Sequence, residues 1–408
     1  MKVLFVAPED PFARDGGANL RLRPFVEAVA TAGEAQLLTL GPRHAKAAPT
    51  APFASVETVM IRRPGRPTRL LRTLLTGEPD IAFRSRSARM ATALHRRLLS
   101  EPFDAVHLAG LQLAYLVQPF RDTLAEPGGD ATRRPLLLLD ELNAEYVVHQ
   151  RLAASDEDGV AGWRRAYSLA QMALLRRYER RVLPQCDIVT CPGAADLASL
   201  RELAPKANLA VVASGVGIEA LAKVPAPPNN PIALFVGDLD YRPNRQAAEW
   251  LLEQVAPAVW EGVPEARFVF VGPGRRPDAR DTGGRITFTG YVDDVAPHLA
   301  AARVIVAPLR SGGGIKLKVL EGMAAGRAVV TTPVGAEGIS DNGEAPLLVT
   351  DGAPEFAAAV VAVLGDDDLA AGLGVRAREF VGDRFGGREI GRRYLEVLRG
   401  DRAGATDG

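Results

Sequence analysis

Three consecutive glycines, two lysines and a glutamate lie close together between residues 312 and 321. The stretch reads SGGGIKLKVLEG and contains Gly312, Gly313, Gly314, Lys316, Lys318 and Glu321. Glycine amides at a helix start and a nearby ammonium group both attract negative charge, so together they suit a phosphate. An ionised glutamate only accepts hydrogen bonds and suits the hydroxyl pair of a ribose. The stretch therefore predicts a site that holds a diphosphate and a ribose.

The residues after the glycines predict a largely buried helix with one polar stripe. Gly314, Lys318, Glu321 and Ala325 follow one another at spacings of four, three and four, which places them on one side of a helix. Unpaired buried charge is costly, so this stripe must face a partner or a cleft. The alternative is an intrahelical Lys318–Glu321 ion pair. Such a pair is worth only ~0.2–0.5 kcal/mol and leaves Lys316 and the glycines unexplained.

Short apolar runs alternate with amphipathic helical stretches along the whole chain. They include KVLFVAP at 2–8, PLLLLDE at 135–141, IALFVGD at 232–238 and RVIVAPL at 303–309. Runs that are apolar on both faces and separated by helices are typical of parallel sheets. Two such series predict two doubly wound α/β domains, 1–222 and 232–384, joined by the proline-rich linker KVPAPPNNP at 223–231. The stretch 388–400 predicts a further helix.

Ligands of open parallel sheets bind outside the carboxyl ends of the strands. Two sheets with those ends facing each other would form one cleft able to close on substrates. A second glycine pair, Gly16 and Gly17, follows the first strand and precedes a helix, where backbone amides can approach an anion. The alternative there is a loop that merely turns. The pattern is not G-x-G-x-x-G, which disfavours a nicotinamide or flavin site.

Bulk composition excludes several classes of function. The chain has 408 residues, and its formal net charge of zero gives no global attraction for nucleic acid. Cys186 and Cys191 cannot form a disulfide framework or a four-ligand zinc site, and the five histidines are scattered, so we expect no metal and no bound cofactor. The N-terminal apolar run is too short for a signal peptide, and no run has the ~18 residues of a membrane span, which predicts a cytoplasmic protein.

The stretch 307–339 resembles the donor-site signature of family 4 glycosyltransferases. Further segments agree in order and spacing: DGGANLRLRPF, LLLLDELNAEY, RRYERRVLPQCDIVTC, VGDLDYRPNRQAAEWL and FTGYVDDVAPHLAAARVIVAPL. The resemblance covers nearly the whole chain and is strongest over 232–340. It implies the GT-B fold, with a C-terminal helix at 385–400 that crosses back to the first domain. It also implies retaining, metal-independent transfer of a sugar from a UDP- or GDP-linked donor to an acceptor hydroxyl.

The resemblance assigns roles to individual residues of the donor site. Glu321 matches the glutamate that binds the nucleotide ribose, and the loop from Gly312 to Ile315 with Lys316 and Lys318 matches the phosphate-binding region. Gly16 and Gly17 match the loop that approaches the diphosphate from the other domain, and Gly290, Tyr291 and Val292 match the region that receives the base. Two positions depart from the family pattern. Gly313 stands where many relatives have a glutamate, and Asp238 stands where many have an arginine, which leaves Arg242 as the nearby cation.

The chemical centre is predicted at the strand ends of the first domain. Family members often have a histidine where this chain has LLLLDELNAEY, so Asp140 and Glu141 are candidates to orient the acceptor or accept its proton. Asp140 is equally a candidate helix cap. His107, in the preceding strand, is a further catalytic candidate, with a structural role as its alternative.

Two aspartate pairs and one arginine-rich segment are further features of the sequence. Asp238 and Asp240 have a D-x-D spacing, but the chain shows no other ligand cluster, which makes metal binding improbable. Asp293 and Asp294 are predicted to cap a helix that begins near residue 295. Residues 62–97 contain ten arginines against Glu78 and Asp80, and this excess either docks on an anionic membrane or is a solvated surface.

The sequence thus predicts a glycosyltransferase whose partners are a nucleotide-sugar and a glycan, lipid-linked or small-molecule acceptor, with no nucleic acid. Peripheral contact with the inner face of a membrane is a further expectation. The alternatives are a nucleotide-sugar epimerase on the same fold and a non-catalytic nucleotide-sugar-binding protein, because both need the same donor site.

Overall fold

The computed structural model describes residues 1–13, 17–41, 52–61, 64–126, 134–154, 162–214, 221, 223–277, 283–312, 315–340 and 343–400. Gly16, Gly313 and Gly314 of the predicted site lie outside the described residues, as do Arg62 and Arg63. The chain divides into two compact units, one formed by Met1–Gly215 with Arg388–Gly408 and the other by Val216–Gly387.

The first unit contains, in its described part, a sheet of seven parallel strands in the order β3-β2-β1-β4-β5-β6-β7. The strands are β1 (Lys2–Ala7), β2 (Glu34–Gly41), β3 (Ser55–Met60), β4 (Ala105–Ala109), β5 (Leu136–Asp140), β6 (Ile188–Cys191) and β7 (Leu209–Val211). The helices are α1 (Gly17–Ala32), α2 (Arg66–Thr76), α3 (Ile81–Arg84), α4 (Ala88–Ser100), α5 (Val117–Leu124), α6 (Glu145–Ala154), α7 (Gly162–Val182) and α8 (Ala194–Leu203). Parallel neighbours need crossover connections, and α1 follows β1 in this way before β2.

The second unit contains six parallel strands in the order β10-β9-β8-β11-β12-β13 within the described ranges. They are β8 (Ile232–Val236), β9 (Arg267–Val271), β10 (Ile286–Gly290), β11 (Val304–Ala307), β12 (Ala328–Thr331) and β13 (Leu348–Val349). The helices are α9 (Arg242–Trp250), α10 (Ala256–Gly262), α11 (Ala296–Ala301), α12 (Leu317–Ala324), α13 (Pro333–Ala336), α14 (Ala353–Gly365) and α15 (Asp367–Phe385). One π-helical turn, Leu251–Val255, joins α9 to α10. The expectation of two doubly wound parallel sheets is confirmed.

The last helix, α16 (Gly387–Arg399), packs on the first unit. Its buried Tyr394 stacks on Phe25 of α1, with ring centroids 4.4 Å apart and planes inclined by 9°. Gly391 allows this close approach, because a Cβ there would lie 2.7 Å from the Cβ of Ala28. The helix therefore covers one face of the first sheet together with α1, as the resemblance implied.

The proline-rich segment 223–231 is hydrogen-bonded to the second unit. The carbonyl of Val224 accepts a hydrogen bond from Arg378 at 2.9 Å, and the carbonyl of Pro225 accepts one from Arg327 at 2.5 Å. The boundary between the units falls earlier, at Gly215, than the predicted linker. Arg378 of α15 and Arg327, directly before β12, therefore bind part of the predicted linker to the second unit.

Candidate functional site

The strand order places a crevice at the carboxyl ends of β8 and β11. Chain connections run outward in opposite directions from these two neighbouring strands, and such a switch point is where open α/β sheets bind ligands. The loop that begins at Gly237 follows β8, and the loop that contains Gly312 follows β11. The two loops that the sequence singled out therefore meet at the place where the fold favours binding.

Lys318 of α12 reaches under the loop that follows β8. Its Nζ donates to Oδ1 of Asn244 at 2.5 Å and lies 4.7 Å from the ring centre of Phe235. A Cβ on Gly237 would stand 2.7 Å from the same nitrogen, so only glycine allows this approach. Burial lowers the pKa of Lys318 to about 7, while neighbouring Glu321 opposes the shift and Lys316 adds to it. The amino group of Lys318 thus lies at the switch point in a poorly solvated position.

Lys316 supplies a second cation at the start of α12. Its side chain is 8% exposed, and its Nζ lies 3.8 Å from a carboxylate oxygen of Glu337, which follows α13. Buried Gly312 has a φ of +113°, a conformation that side-chain-bearing residues rarely adopt. A Cβ on Gly312 would lie 3.9 Å from the hydroxyl of Tyr241, so this glycine brings the β11 loop against the β8 loop.

Glu321 lies on α12 one turn beyond Lys318. The helix buries Val319, Leu320, Gly322, Met323 and Ala324, while Glu321 and Lys318 are half-buried. The predicted polar stripe on an otherwise apolar helix is therefore present over the described residues of α12. The helix begins at Leu317, later than the glycines, so its free N–H groups lie closest to Lys316.

The carboxyl ends of β9 and β10 lie beside the same crevice. The amide of Gly272, after β9, donates to the carbonyl of Gly290 at 3.0 Å. A Cβ on Gly272 would lie 2.2 Å from the carbonyl oxygen of Gly237, so these backbones are in direct contact. Tyr291 is 73% exposed directly after Gly290. Since neighbouring strands are ~4.8 Å apart, the edge from β10 to β11 spans roughly 14 Å, a length on the scale of a nucleoside diphosphate.

Arg242, at the start of α9, is half-buried beside the same loop. Burial and the neighbouring charge of Arg245 lower its pKa. The two aspartates before it serve the turn: Asp238 Oδ1 accepts the amide of Asp240 at 2.8 Å, and Asp240 Oδ1 accepts the amide of Arg275 at 3.1 Å. The described residues contain no group of three or more His, Cys, Asp or Glu side chains placed to hold a metal ion.

A helix begins near the predicted residue 295, but its N-cap residue is Val295 rather than Asp293 or Asp294. Asp294 Oδ1 accepts the backbone N–H of Ala296 at 2.9 Å, and Ala296 is the first residue of α11.

Asp140 of the first unit is a buried ion-pair partner rather than an exposed base or a helix cap. It is 2% exposed, and Arg21 of α1 donates to both of its carboxylate oxygens, at 2.6 and 2.9 Å. Thr190 donates to Oδ1 at 2.6 Å. Arg21 also donates to the carbonyl of Val212 at 2.6 Å and thereby ties α1 to three strands at the carboxyl edge of the sheet. Both roles predicted for Asp140 are therefore corrected.

His107 is a core residue, which corrects its prediction as a catalytic candidate. Strand alternation turns Ala105 and His107 toward α1 and α16, and Val106 and Leu108 toward the other face. His107 is 0% exposed, and its Nδ1 lies 2.8 Å from the hydroxyl of Tyr394. Burial lowers the pKa of the imidazole to about 4, so the ring is neutral and structural.

Glu141 is likewise inaccessible, which corrects the third catalytic candidate. It is 0% exposed, and burial together with the nearby carboxyl of Glu179 raises its pKa well above the usual value. Glu179 of α7 is also buried with a raised pKa, and its Oε1 accepts the amide of Glu145 at 2.8 Å. Within the described part of the chain, neither carboxylate oxygen of Glu141 has a hydrogen-bond partner. Burial therefore disfavours the charged form of both acids and raises the pKa of each.

Sequence reasoning missed three polar residues that build these sites: Arg21, Glu179 and Asn244. A signal for Arg21 existed, because it lies one turn before Phe25 on the apolar face of α1 and so requires a buried acceptor. Asn244 fixes the β8 loop by donating to the carbonyl of Asp238 at 2.8 Å while accepting from Lys318. Its position in the first turn of α9 did not reveal that contact.

Comparisons with known proteins find similar glycosyltransferases. Residues 230–366 match the family model described as "Glycosyl transferases group 1". The chain is 30% identical over 221 residues to a phosphatidyl-myo-inositol mannosyltransferase of Mycolicibacterium smegmatis, covering 51% of this chain and 55% of that protein. It is 27% identical over 297 residues to a GDP-mannose-dependent alpha-(1-6)-phosphatidylinositol monomannoside mannosyltransferase of Mycobacterium tuberculosis, covering 66% and 74%.

The fold has solved counterparts. Sucrose-phosphate synthase from Thermosynechococcus elongatus superposes with a TM-score of 0.70 at 20% identity, covering 98% of this chain and 99% of that one. The match to the M. smegmatis protein spans little more than half of that relative's length. The described sites of the second unit, from Gly237 to Glu337, all fall inside the matched range 230–366.

Proposed function

We propose that this chain, which has the GT-B fold, is a group 1 glycosyl transferase that moves a sugar from a nucleoside diphosphate-sugar to an acceptor hydroxyl with retention of configuration. One observation carries the proposal. At the switch point of the second sheet, Lys318 and Glu321 lie on one short helix and Lys316 is its N-cap residue, beside glycines that keep the surrounding backbone close.

Each group has a distinct task in this proposal. Lys318 and Lys316 neutralise the diphosphate, and Glu321 accepts hydrogen bonds from the ribose hydroxyls. In the transfer, the bond between the anomeric carbon and the diphosphate oxygen breaks, and a bond to the acceptor oxygen forms. The negative charge that develops on the departing diphosphate is stabilised by the two ammonium groups. The lysines supply this charge in place of a divalent cation, so we expect turnover to persist in EDTA.

The nucleotide and the acceptor are narrower proposals. A relative whose name specifies GDP-mannose supports a GDP-linked donor, with a UDP-linked donor as the alternative. Relatives named for phosphatidylinositol substrates support a lipid-linked acceptor. A chain with such an acceptor works at a membrane surface, and we propose a cytoplasmic protein in peripheral contact with it through the arginine-rich region 62–97. In the described ranges, no helix is both long enough and apolar enough to cross a bilayer.

The test is product analysis with a panel of UDP-, GDP- and dTDP-sugars, each with and without candidate acceptors. Nucleoside diphosphate that is released in step with a glycosylated acceptor of unchanged anomeric configuration supports the proposal. An epimeric sugar nucleotide formed without release would identify an epimerase on the same fold instead. Donor binding without turnover across the panel would favour a non-catalytic binding protein.

A further inference from the structure

We propose that a pocket on the first unit, between the carboxyl end of α2 and helix α7, binds the phosphoryl group of a small soluble phosphomonoester. All residues that line this pocket belong to the first unit, whereas the donor crevice belongs to the second. The pocket is therefore a second place for an anion, and its binding is independent of the proposed sugar transfer.

Three segments that are far apart in sequence build the pocket, which has a volume of about 230 Å³. Residues 76–79, at the end of α2 and directly after it, form one part of the lining. The rest comes from Arg86, which precedes α4, and from four residues of α7: Leu174, Arg177, Tyr178 and Arg181. Pockets for drug-sized ligands occupy ~300–1,000 Å³, so this one suits a small ligand rather than a nucleotide-sugar.

Positive charge predominates in the pocket. The Glu78 carboxylate pairs with two of the arginines, at 2.7 Å from Arg86 Nη1 and at 2.9 Å from Arg181 Nη2. Arg177 is exposed and has no carboxylate partner within the described part of the chain. Three guanidinium groups and one carboxylate therefore leave two positive charges in excess.

Glu78 orients its two arginines without using all of their donors. It follows α2, whereas Arg86 precedes α4 and Arg181 lies on α7, so one carboxylate holds guanidinium groups from two other segments. A guanidinium group has five N–H donors, and an ion pair occupies only some of them. The side chains of Arg86 and Arg181 are 45% and 52% exposed, which leaves the other donors accessible to a ligand.

Tyr178 adds a hydroxyl without a partner. The residue is 4% exposed, and its hydroxyl makes no hydrogen bond among the described residues. Burial raises the pKa of this hydroxyl, and the charges of Glu78, Arg181 and Arg86 also act on it. The hydroxyl thus lies within electrostatic reach of the charged groups of the pocket. Buried hydroxyls are normally hydrogen-bonded, so a bound oxyanion would supply the missing acceptor.

These features match a phosphomonoester better than a phosphodiester. A monoester carries a charge of about −2 at neutral pH and has three strong acceptor oxygens. It can therefore balance both excess positive charges and accept hydrogen bonds from several guanidinium groups and from the tyrosine. Guanidinium groups bind phosphate through paired hydrogen bonds, which adds to the match. A phosphodiester, the linkage of most lipid headgroups, has a single negative charge and fewer free oxygens.

The experiment is isothermal titration of the full chain at pH 7.5 with glycerol 3-phosphate, a monoester, and separately with dimethyl phosphate, a diester. Glycerol 3-phosphate should bind, and dimethyl phosphate should bind at least about tenfold more weakly because it carries less charge. Lys318→Gln, which removes a cation of the donor crevice, should leave the affinity for glycerol 3-phosphate unchanged.

Variants of α7 test the assignment to individual groups. Arg177→Gln should weaken glycerol 3-phosphate binding about tenfold, because it removes the guanidinium group that has no competing carboxylate. Tyr178→Phe should weaken binding about fivefold and leave the thermal midpoint of the ligand-free protein unchanged or higher, since it removes a buried hydroxyl without a partner. A merely structural role of that hydroxyl would instead lower the midpoint. Arg180→Gln, an exposed neighbour that does not line the pocket, is the matched control and should keep wild-type affinity.

Four results would overturn the inference. Wild-type protein that does not bind glycerol 3-phosphate would show that the pocket is not an anion site. Dimethyl phosphate that binds as tightly as the monoester would indicate a diester ligand such as a lipid headgroup. Equal losses for Arg177→Gln and Arg180→Gln would show an unspecific effect of charge. Binding that Lys318→Gln abolishes and Arg177→Gln leaves intact would place the ligand in the donor crevice.

Discussion

Donor binding by this chain should depend on pH through Lys318. Burial lowers the pKa of its ammonium group to about 7 in the free protein, and a bound diphosphate favours the charged form and raises that pKa again. Binding therefore takes up a proton above neutral pH. The protonated fraction falls from roughly one half at pH 7 to roughly 1% at pH 9, so affinity should fall about 50-fold, or ~2.3 kcal/mol.

The assay is isothermal titration with a nucleoside diphosphate-sugar between pH 6.5 and 9.5 at constant ionic strength. The linked diphosphate has no titrating proton in this range, and the ring N–H of a uracil or guanine base titrates only near its upper end. A dependence that begins around pH 7 to 8 therefore originates in the protein. Titrations in two buffers with different ionisation enthalpies count the proton taken up. Lys318→Arg is the matched variant, because guanidinium keeps its charge throughout and should give a nearly flat profile.

Two outcomes would refute this reasoning. Wild-type affinity that is constant from pH 7 to 9 would mean that Lys318 stays charged in the free protein or does not contact the donor. A pH dependence that persists unchanged in Lys318→Arg would place the titrating group elsewhere.

Three further predictions concern the first unit. Arg21→Met should lower the free energy of unfolding by ~3–5 kcal/mol in urea titrations, since it leaves the Asp140 carboxylate buried without its cation. Adding Asp140→Leu should recover most of the loss. A double variant as unstable as the single one would contradict the pairing. Glu141→Gln should raise the thermal midpoint at pH 8 more than at pH 5. Glu141 keeps its proton in the folded state, whereas the unfolded chain releases it above the ordinary glutamate pKa of ~4.3. The wild type therefore loses stability as the pH rises from there towards the folded pKa. Equal effects of the substitution at both pH values would exclude this cause. Tyr394→Phe should cost about 0.5–1.5 kcal/mol through the bond to His107, and an unchanged unfolding midpoint would show that this bond contributes nothing.

Much of the fold follows from local sequence, because buried parallel strands need short apolar runs. KVLFVAP forms β1 (Lys2–Ala7) and IALFVGD forms β8 (Ile232–Val236), close to the predicted ranges. The edge strand β13 (Leu348–Val349) has only two residues and lacks one neighbour. Local pattern therefore predicts the central strands best, since these are apolar on both faces.

The candidate site was predictable where backbone conformation dictates the residue type. Gly312 has a φ of +113°, a backbone conformation that favours glycine, and the sequence shows a glycine there. The orientation of polar residues in the strands was not predictable. Whether His107 faces solvent or core depends on α16, whose Tyr394 lies 287 residues away in sequence. Asp140 similarly depends on Arg21 of α1, a contact across 119 residues.

The central claim is that the crevice beside α12 binds the nucleoside diphosphate-sugar, and Glu321→Ala tests it most directly. Donor affinity measured by titration calorimetry should fall about tenfold or more, since the ribose hydroxyls lose a charged acceptor in a half-buried position. Glu261→Ala, which removes an exposed glutamate at the end of α10, should leave affinity unchanged. Donor affinity and turnover that are the same in both variants as in the wild type would contradict the account.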